Sequence, residues 1–493
     1  MKLTLKNMKS IKILLTAFLM LGLTIQCSED FLERIPPSSL TEDIFFQTEE
    51  DALATVHASY AAIQLSPMYS DSYPKIAEVP ADDVTLDNTS GLGFDNFTFN
   101  GSESQLDGVY QSCYEGIFRA NLAIQRIPDI EIDENLKSRL VGEAKFLRAL
   151  YYWHLSTHFG QVPLVLEADA SDLDKAALPK SSVDEIYGQM ISDLTDAESS
   201  LPEEYGDADI GRATKGAAQA LLGKVYLYDQ DYANAEEYFL KVINSDNYSL
   251  VEDFSQIINM GNENNEESIF EIQYSNVGGN AWAGADGAGN NETNLRWRLN
   301  LPQGKGGFGN LLPTQEIVDA FEEGDPRLDA SIFIDGDEYD DIDPVYSSDW
   351  TITGYTIKKG MVPIVRNEAA SGTNWPIIRY ADVLLMYAEA ANENGNMQDA
   401  IDAINEVRDR VDMPMLPTAD MPVSTQEEVF DAIVHERRVE LAFEYHRYND
   451  LRRWGLALEE LGDLGYEPKN RYFPLPQAEI DVNPQLEQNQ DYL

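Results

Sequence analysis

Two stretches of this chain place small residues at helical spacing beside large apolar ones, and that pattern allows little except closely paired helices. From Lys215 to Tyr228, Ala217, Ala218, Ala220 and Gly223 alternate with Leu221, Leu222, Val225 and Tyr226. Asp231 then caps a second run carrying Ala235, Tyr238, Phe239, Val242 and Ile243. Residues 379–393 repeat the plan with Ala381, Leu384, Leu385, Tyr387, Ala388 and Ala391. Gly395-Asn396 turns that run into a partner with Ala400, Ile401, Ala403, Ile404 and Val407. Two amphipathic helices joined by a short turn are the unit of a tetratricopeptide array, whose units bury their apolar faces only by stacking. These pairs read as structure, not as a site.

Elsewhere the helical period runs over 41–65, with Thr41 as the N-cap, and over 111–127, 135–159 and 183–200. It returns as one long helix over 425–461. Residues 67–108 are rich in Asp, Asn, Ser, Gly and aromatics and read as ordered loop. Residues 251–376 lose the period and hold Gly278-Gly279-Asn280-Ala281-Trp282 and Gly304-Lys305-Gly306-Gly307-Phe308-Gly309. A long irregular stretch inside a folded chain is uncommon and is often where function lies. The reading is all-α: helical hairpins over about 41–250 and 377–461, with a loop-rich ligand segment over about 251–376.

The first residues carry Lys2, Lys6, Lys9 and Lys12, then an apolar run from Ile13 to Ile25. That run is short for a membrane span and has the flank of a secretory signal peptide, here 1–26. Cys27 ends it and becomes the lipidated N-terminus of the mature body, 27–493. Leu23-Thr24-Ile25-Gln26 departs from the usual lipobox, while Ser28-Glu29-Asp30 resembles the acidic export tag of Bacteroidetes surface lipoproteins. Cys113 is the only other cysteine, so a disulfide framework and a zinc site built on cysteine pairs are both excluded. The net charge of -51 repels nucleic acid and anionic membrane surfaces and disfavours polyanionic ligands.

Motifs for catalysis are weak. His154 and His158 lie four apart on a helix, but no Glu follows His154 as a metalloprotease helix requires, so packing is the better reading. His435-Glu436 begins such a motif and fails at Val439. There is no Gly-x-Ser-x-Gly elbow, and the glycine-rich stretches lack the Lys-Ser/Thr ending of a phosphate loop. Asp335, Asp337, Asp340, Asp341 and Asp343 offer oxygen ligands for a structural calcium ion, without the Gly and Glu of an EF-hand. Loop aromatics say more, because indole and phenol rings match the apolar faces of sugars. Trp282, Trp297, Trp350 and Trp375 fall in or beside the irregular segment, and Tyr73, Phe94 and Phe97 in the first loop.

Several motifs in order resemble the SusD/RagB family. They are Arg379-Tyr380-Ala381-Asp382-Val383-Leu384-Leu385-Met386-Tyr387-Ala388-Glu389-Ala390 and Glu436-Arg437-Arg438-Val439-Glu440-Leu441-Ala442-Phe443-Glu444. His446-Arg447-Tyr448-Asn449-Asp450-Leu451-Arg452-Arg453-Trp454, Phe321-Glu322-Glu323-Gly324-Asp325-Pro326-Arg327 and Pro474-Leu475-Pro476-Gln477-Ala478-Glu479-Ile480 also match, as does Phe31-Leu32 behind Cys27.

The resemblance implies a SusD-like fold of tetratricopeptide-like hairpins, no catalysis and no cofactor. It implies an outer-membrane lipoprotein facing the cell exterior, partnered by a SusC-type TonB-dependent transporter. The Glu/Arg-rich helix is expected to be a buried ion-pair lattice. Contacts to a neutral glycan are expected from Tyr73, Asp82, Asp83, Phe94, Asn96, Phe97, Trp282, Arg296 and Trp297. Arg296, Arg298 and Lys305 offer a local basic patch inside the loop region that would favour a polyanion instead. Two other readings stay open: peptide capture, as in the RagB branch, and an anchored glycoside hydrolase.

Overall fold

The computed structural model describes residues 46–89, 91–168, 177–275, 293–339, 343–361 and 371–493. Cys27, Thr41, Trp282, Asp340 and Asp341 lie outside the described residues. From Thr48 to Leu493 the chain forms one unit.

The helices of seven or more residues run as follows. First come α1 (Glu49–Ala61), α2 (Ser72–Glu78), α3 (Ser104–Arg126), α4 (Glu134–Phe159) and α5 (Val183–Ser200). Then come α6 (Lys215–Tyr228), α7 (Tyr232–Ile243), α8 (Tyr380–Glu393), α9 (Met397–Arg410), α10 (Gln426–Glu440) and α11 (Arg447–Trp454). Packing runs along the array from α3 to α9, each helix against the next, with α1 on α3 and α10 on α8. The expected hairpins α6–α7 and α8–α9 are present. Thr214 caps α6 by accepting from Ala217 N at 3.1 Å, and Asp231 caps α7 by accepting from Asn234 N at 3.2 Å. Small residues set the spacing: a Cβ placed on Gly223 would lie 2.7 Å from the Phe239 ring.

The array is interrupted between α7 and α8, yet those two helices pack together. The intervening excursion returns through an antiparallel clasp of β2 (Ser268–Ile272) and β6 (Trp375–Arg379), pairing Phe270 with Ile378 and Ile272 with Trp375. Two shorter antiparallel pairs stitch the excursion: β1 (Val84–Thr85) with β3 (Leu312–Pro313), and β4 (Ile332–Phe333) with β5 (Thr356–Ile357).

Three expectations are corrected. Among the described residues, the helix expected over 41–65 starts at Glu49, because Thr48 and Asp51 form a reciprocal capping box with bonds of 2.9 and 3.2 Å. The region 67–108 contains helix α2, whose Pro74 sits in the first turn where its missing N–H costs nothing. The helix expected over 425–461 is broken into α10, α11 and a short helix at Ala457–Leu461. Buried cations take the carbonyls at the end of α10: Lys359 Nζ donates to Glu440 O at 2.8 Å and Ala442 O at 3.3 Å, and Arg379 Nη2 to Glu440 O at 2.8 Å. Phe443 and Tyr445 then turn through left-handed backbone at φ 66° and 70°.

The Glu/Arg-rich helix is a buried ion-pair lattice. Glu440 binds Arg379 at 2.6 Å, Arg410 at 2.7 Å and Arg327 at 3.1 Å, all of them buried. Glu436 lies 2.5 Å from Arg327 and 2.9 Å from Arg408, and Glu444 lies 2.7 Å from Arg379 and 2.5 Å from Lys359. Burial alone would raise Glu440, but the four cations around it hold its carboxyl well below the usual range. Glu322, His435 and Glu436 converge closely enough to suggest a metal site. Arg408 already bridges the two carboxylates, 2.6 Å from Glu322 and 2.9 Å from Glu436, so a cation is in place. His154 and His158 pack as the sequence suggests, edge-on to Tyr73 with centroids 4.9 and 5.3 Å away.

Candidate functional site

The first loop region and the excursion, expected to share the ligand, are joined along one seam. Beyond the β1–β3 pair, Asp87 N donates to Gly309 O at 2.8 Å and Gln303 Nε2 to Asp87 O at 2.7 Å. Asn88 Nδ2 donates to Phe308 O at 2.6 Å, and Asn310 Nδ2 to Asn88 Oδ1 at 3.3 Å. The glycine-rich turn 303–309 is thus fixed against residues 87–88.

Trp350 lies beside this seam, half-buried, edge-on to Tyr339 and Tyr346 with centroids 5.2 Å away in both cases. Lys305 Nζ sits 3.8 Å from its ring centroid and 2.9 Å from Asp343 Oδ2. The result is a braced indole with amides and a carboxylate–ammonium pair nearby. Lys305 covers one face of the indole, so any stacking on an apolar ring uses the rest of the ring, while polar groups at its edge can exchange hydrogen bonds with hydroxyls.

Most residues assigned to the ligand from the sequence turn inward. Tyr73 is 4% exposed, within a cluster of Tyr69, His154, His158 and Tyr445. Phe94 and Phe97 are buried against Phe99, Phe473 and Tyr466. Asp82 pairs with Arg447 at 2.7 Å and Arg438 at 2.8 Å, and Asp83 pairs with Arg438 at 2.8 Å. Burial pushes Asp83 up to about 6, against the pull of Arg438. Arg296 is buried with its guanidinium 3.1 Å from the Trp375 ring centroid, and burial lowers it to about 10. Trp297 is 4% exposed. Asn96 is exposed, and its Oδ1 accepts from Thr98 N and Oγ1 at 3.2 and 2.6 Å.

The basic patch expected at Arg296, Arg298 and Lys305 is dispersed by these contacts: Arg296 is internal, Lys305 is paired, and Arg298 lies over Trp297 and Phe308. For the calcium reading, Asp335 Oδ1 accepts from Ser348 N at 2.9 Å, Asp337 Oδ2 from Ile334 N at 2.9 Å, and Asp343 pairs with Lys305. These three carboxylates serve turns and an ion pair. The sequence did not mark Asn88, Gln303 and Phe308 as site residues, although the glycine-rich turn around Phe308 was the visible signal.

Comparison with known proteins agrees with this architecture. Residues 30–227 match a family described as starch-binding, associating with outer membrane, and residues 266–472 match the SusD family. The chain belongs to the SusD family. A SusD-like protein of Formosa agariphila is 29% identical, covering 99% of this chain and 100% of its own. The starch-binding protein SusD of Bacteroides thetaiotaomicron is 27% identical over 80% of each chain. Among solved structures, a laminarin binding SusD-like protein superposes with a TM-score of 0.77 at 29% identity, covering 90% of this chain and 99% of that one. A SusD-like protein of Bacteroides fragilis gives a TM-score of 0.78 at 28% identity, covering 91% and 98%. Among the described residues no helix is long and apolar enough to cross a membrane.

Proposed function

We propose that this SusD-family chain captures a neutral oligosaccharide on the exterior face of the outer membrane, does not cleave it, and delivers it to a SusC-type TonB-dependent transporter. The observation that carries the reading is Trp350, a half-buried indole braced by Tyr339 and Tyr346 beside a seam of amides. Relatives named for binding starch and laminarin support it. The net charge of -51 and the pairing of Lys305 with Asp343 both disfavour a polyanion.

Anchoring through Cys27 suits such a role, because a tethered binder works at high local concentration and needs only modest affinity. Calorimetry of the mature chain against neutral oligosaccharides, uronate or sulfated polymers and peptides tests the reading. Micromolar to millimolar binding of a neutral glycan, with no new reducing ends, is expected. Preference for a peptide or polyanion, or turnover abolished by one carboxylate substitution, overturns it. Intact cells whose chain survives protease shaving would reject the exterior location.

A further inference from the structure

A second cleft, of about 490 Å³, opens among the helices and shares no lining residue with the Trp350 seam. Its size falls in the range of small-molecule sites, about 300–1,000 Å³. It forms where the end of α4, the start of α5, the ends of α6 and α8, the turn at Asp229 and Gln230, the start of α7, and helices α10 and α11 converge beside Arg471 and Tyr472.

The floor is locked. Arg453 forks onto both oxygens of Glu389, bonds Asp450 at 2.8 Å, and lies 4.6 and 4.9 Å from the ring centroids of Trp454 and Tyr228. Trp454 Nε1 donates to Glu389 Oε1 at 3.0 Å. With those charges committed, the floor is rigid before any ligand arrives.

The walls are uncommitted. Among the described residues, the side-chain polar atoms of Asp229, Gln230, Tyr232 and Glu393 make no hydrogen bond, nor does the hydroxyl of Tyr187, a residue only 7% exposed. The ring is buried while its hydroxyl faces the cleft, where it can exchange water for a ligand as donor and acceptor. Half-buried rings of Tyr232, Phe430 and Tyr472 supply apolar faces. The lining is also formally neutral, with Asp229, Glu389 and Glu393 against Arg452, Arg453 and Arg471. That balance departs from a chain holding 86 acidic and 35 basic residues. It gives no preference to an anion or a cation, whereas phenols, carboxylates and an amide around aromatic faces suit a ring bearing many hydroxyls.

We propose that this cleft is a second saccharide site, taking one or two neutral pyranose rings independently of the Trp350 seam. It rests on the glycan-capture reading, and the test separates the two. Crystals of the full mature chain would be soaked with neutral trisaccharides of glucose, mannose, galactose and xylose, and the same sugars titrated in solution. Sugar is expected in the cleft, bonded to Asp229 or Glu393. Glu393→Gln and Tyr232→Ala, both at accessible side chains, should each weaken that site about tenfold while leaving the seam unchanged, and Trp350→Ala should do the reverse. Sugar at the seam and never in the cleft overturns this proposal and leaves glycan capture standing. Sugar at neither overturns both. Cleft occupancy by trilysine but by no sugar, or titrations indifferent to Glu393→Gln and Tyr232→Ala, also overturns it.

Discussion

Trp297 and Trp350 are the same residue type in the same irregular segment, yet they do opposite work. Trp297 is buried at 4% exposure, whereas Trp350 is half-buried beside the seam. Trp297→Ala should therefore cost about 3–5 kcal/mol of stability through the cavity it leaves. Trp350→Ala should leave the unfolding midpoint nearly unchanged and weaken glycan binding by about 1–3 kcal/mol, by analogy with stacking on aromatic rings. Paired urea titrations and calorimetry distinguish the two. If Trp297→Ala folds normally and alone abolishes binding, the seam is not the site. Composition showed that aromatics gather in these loops, but not which way each one faces. Phe97 illustrates why: its burial depends on Tyr448 and Tyr466, more than three hundred residues further along the chain, and no local pattern reports such partners.

At the scale of elements, the hairpins were legible because small residues and caps act locally. The break after α10 was not, because it depends on Lys359 and Arg379 reaching the α10 carbonyls from the excursion and from β6. The cleft was equally hidden, since its walls come from seven helices spread along the chain. Two glycines test how far spacing governs the array. Gly223→Ala drives a Cβ to 2.7 Å from the Phe239 ring and should destabilise by about 1–3 kcal/mol, partly recovered by adding Phe239→Leu. At Gly188, within α5, an added methyl would meet nothing within 4 Å, so Gly188→Ala should stabilise by about 0.5–1 kcal/mol. Urea unfolding reads both, and equal signs would refute the close-approach account of α6 and α7.

Across the whole molecule, buried titrating groups set a dependence on pH. Burial lowers His154 to about 3 and His446 to about 4, and holds His158 well below 6.5 with help from Arg452. Unfolded, each takes up a proton as pH falls through about 6.5, so these three withdraw stability on acidification. Buried acids oppose them: Asp83 rises to about 6, burial plus the Asp83 carboxylate lifts Glu78 well above its usual value, and burial also raises Glu143 and Glu271. The folded chain protonates these before the unfolded one, so their contribution grows as pH falls. The two sets act in opposite directions below about pH 6.5, so removing one of the raised acids tips the balance toward a loss of stability on acidification. Glu78→Gln should raise stability at neutral pH and lose more of it on acidification than the parent chain does, and a urea-titration profile parallel to the parent's would contradict it. The same scale shows how the excursion is held. Glu267, Arg327 and Lys359 belong to it and reach helix α10 or its C-terminal end, directly or through Arg379 and Arg410, and Asp325 braces Arg327. Chain between such pins can lengthen cheaply, at about 0.6 kcal/mol for each doubling of a loop. Ligand preference and fold stability are thereby inherited separately along one polypeptide, as a cartridge is exchanged within a fixed housing.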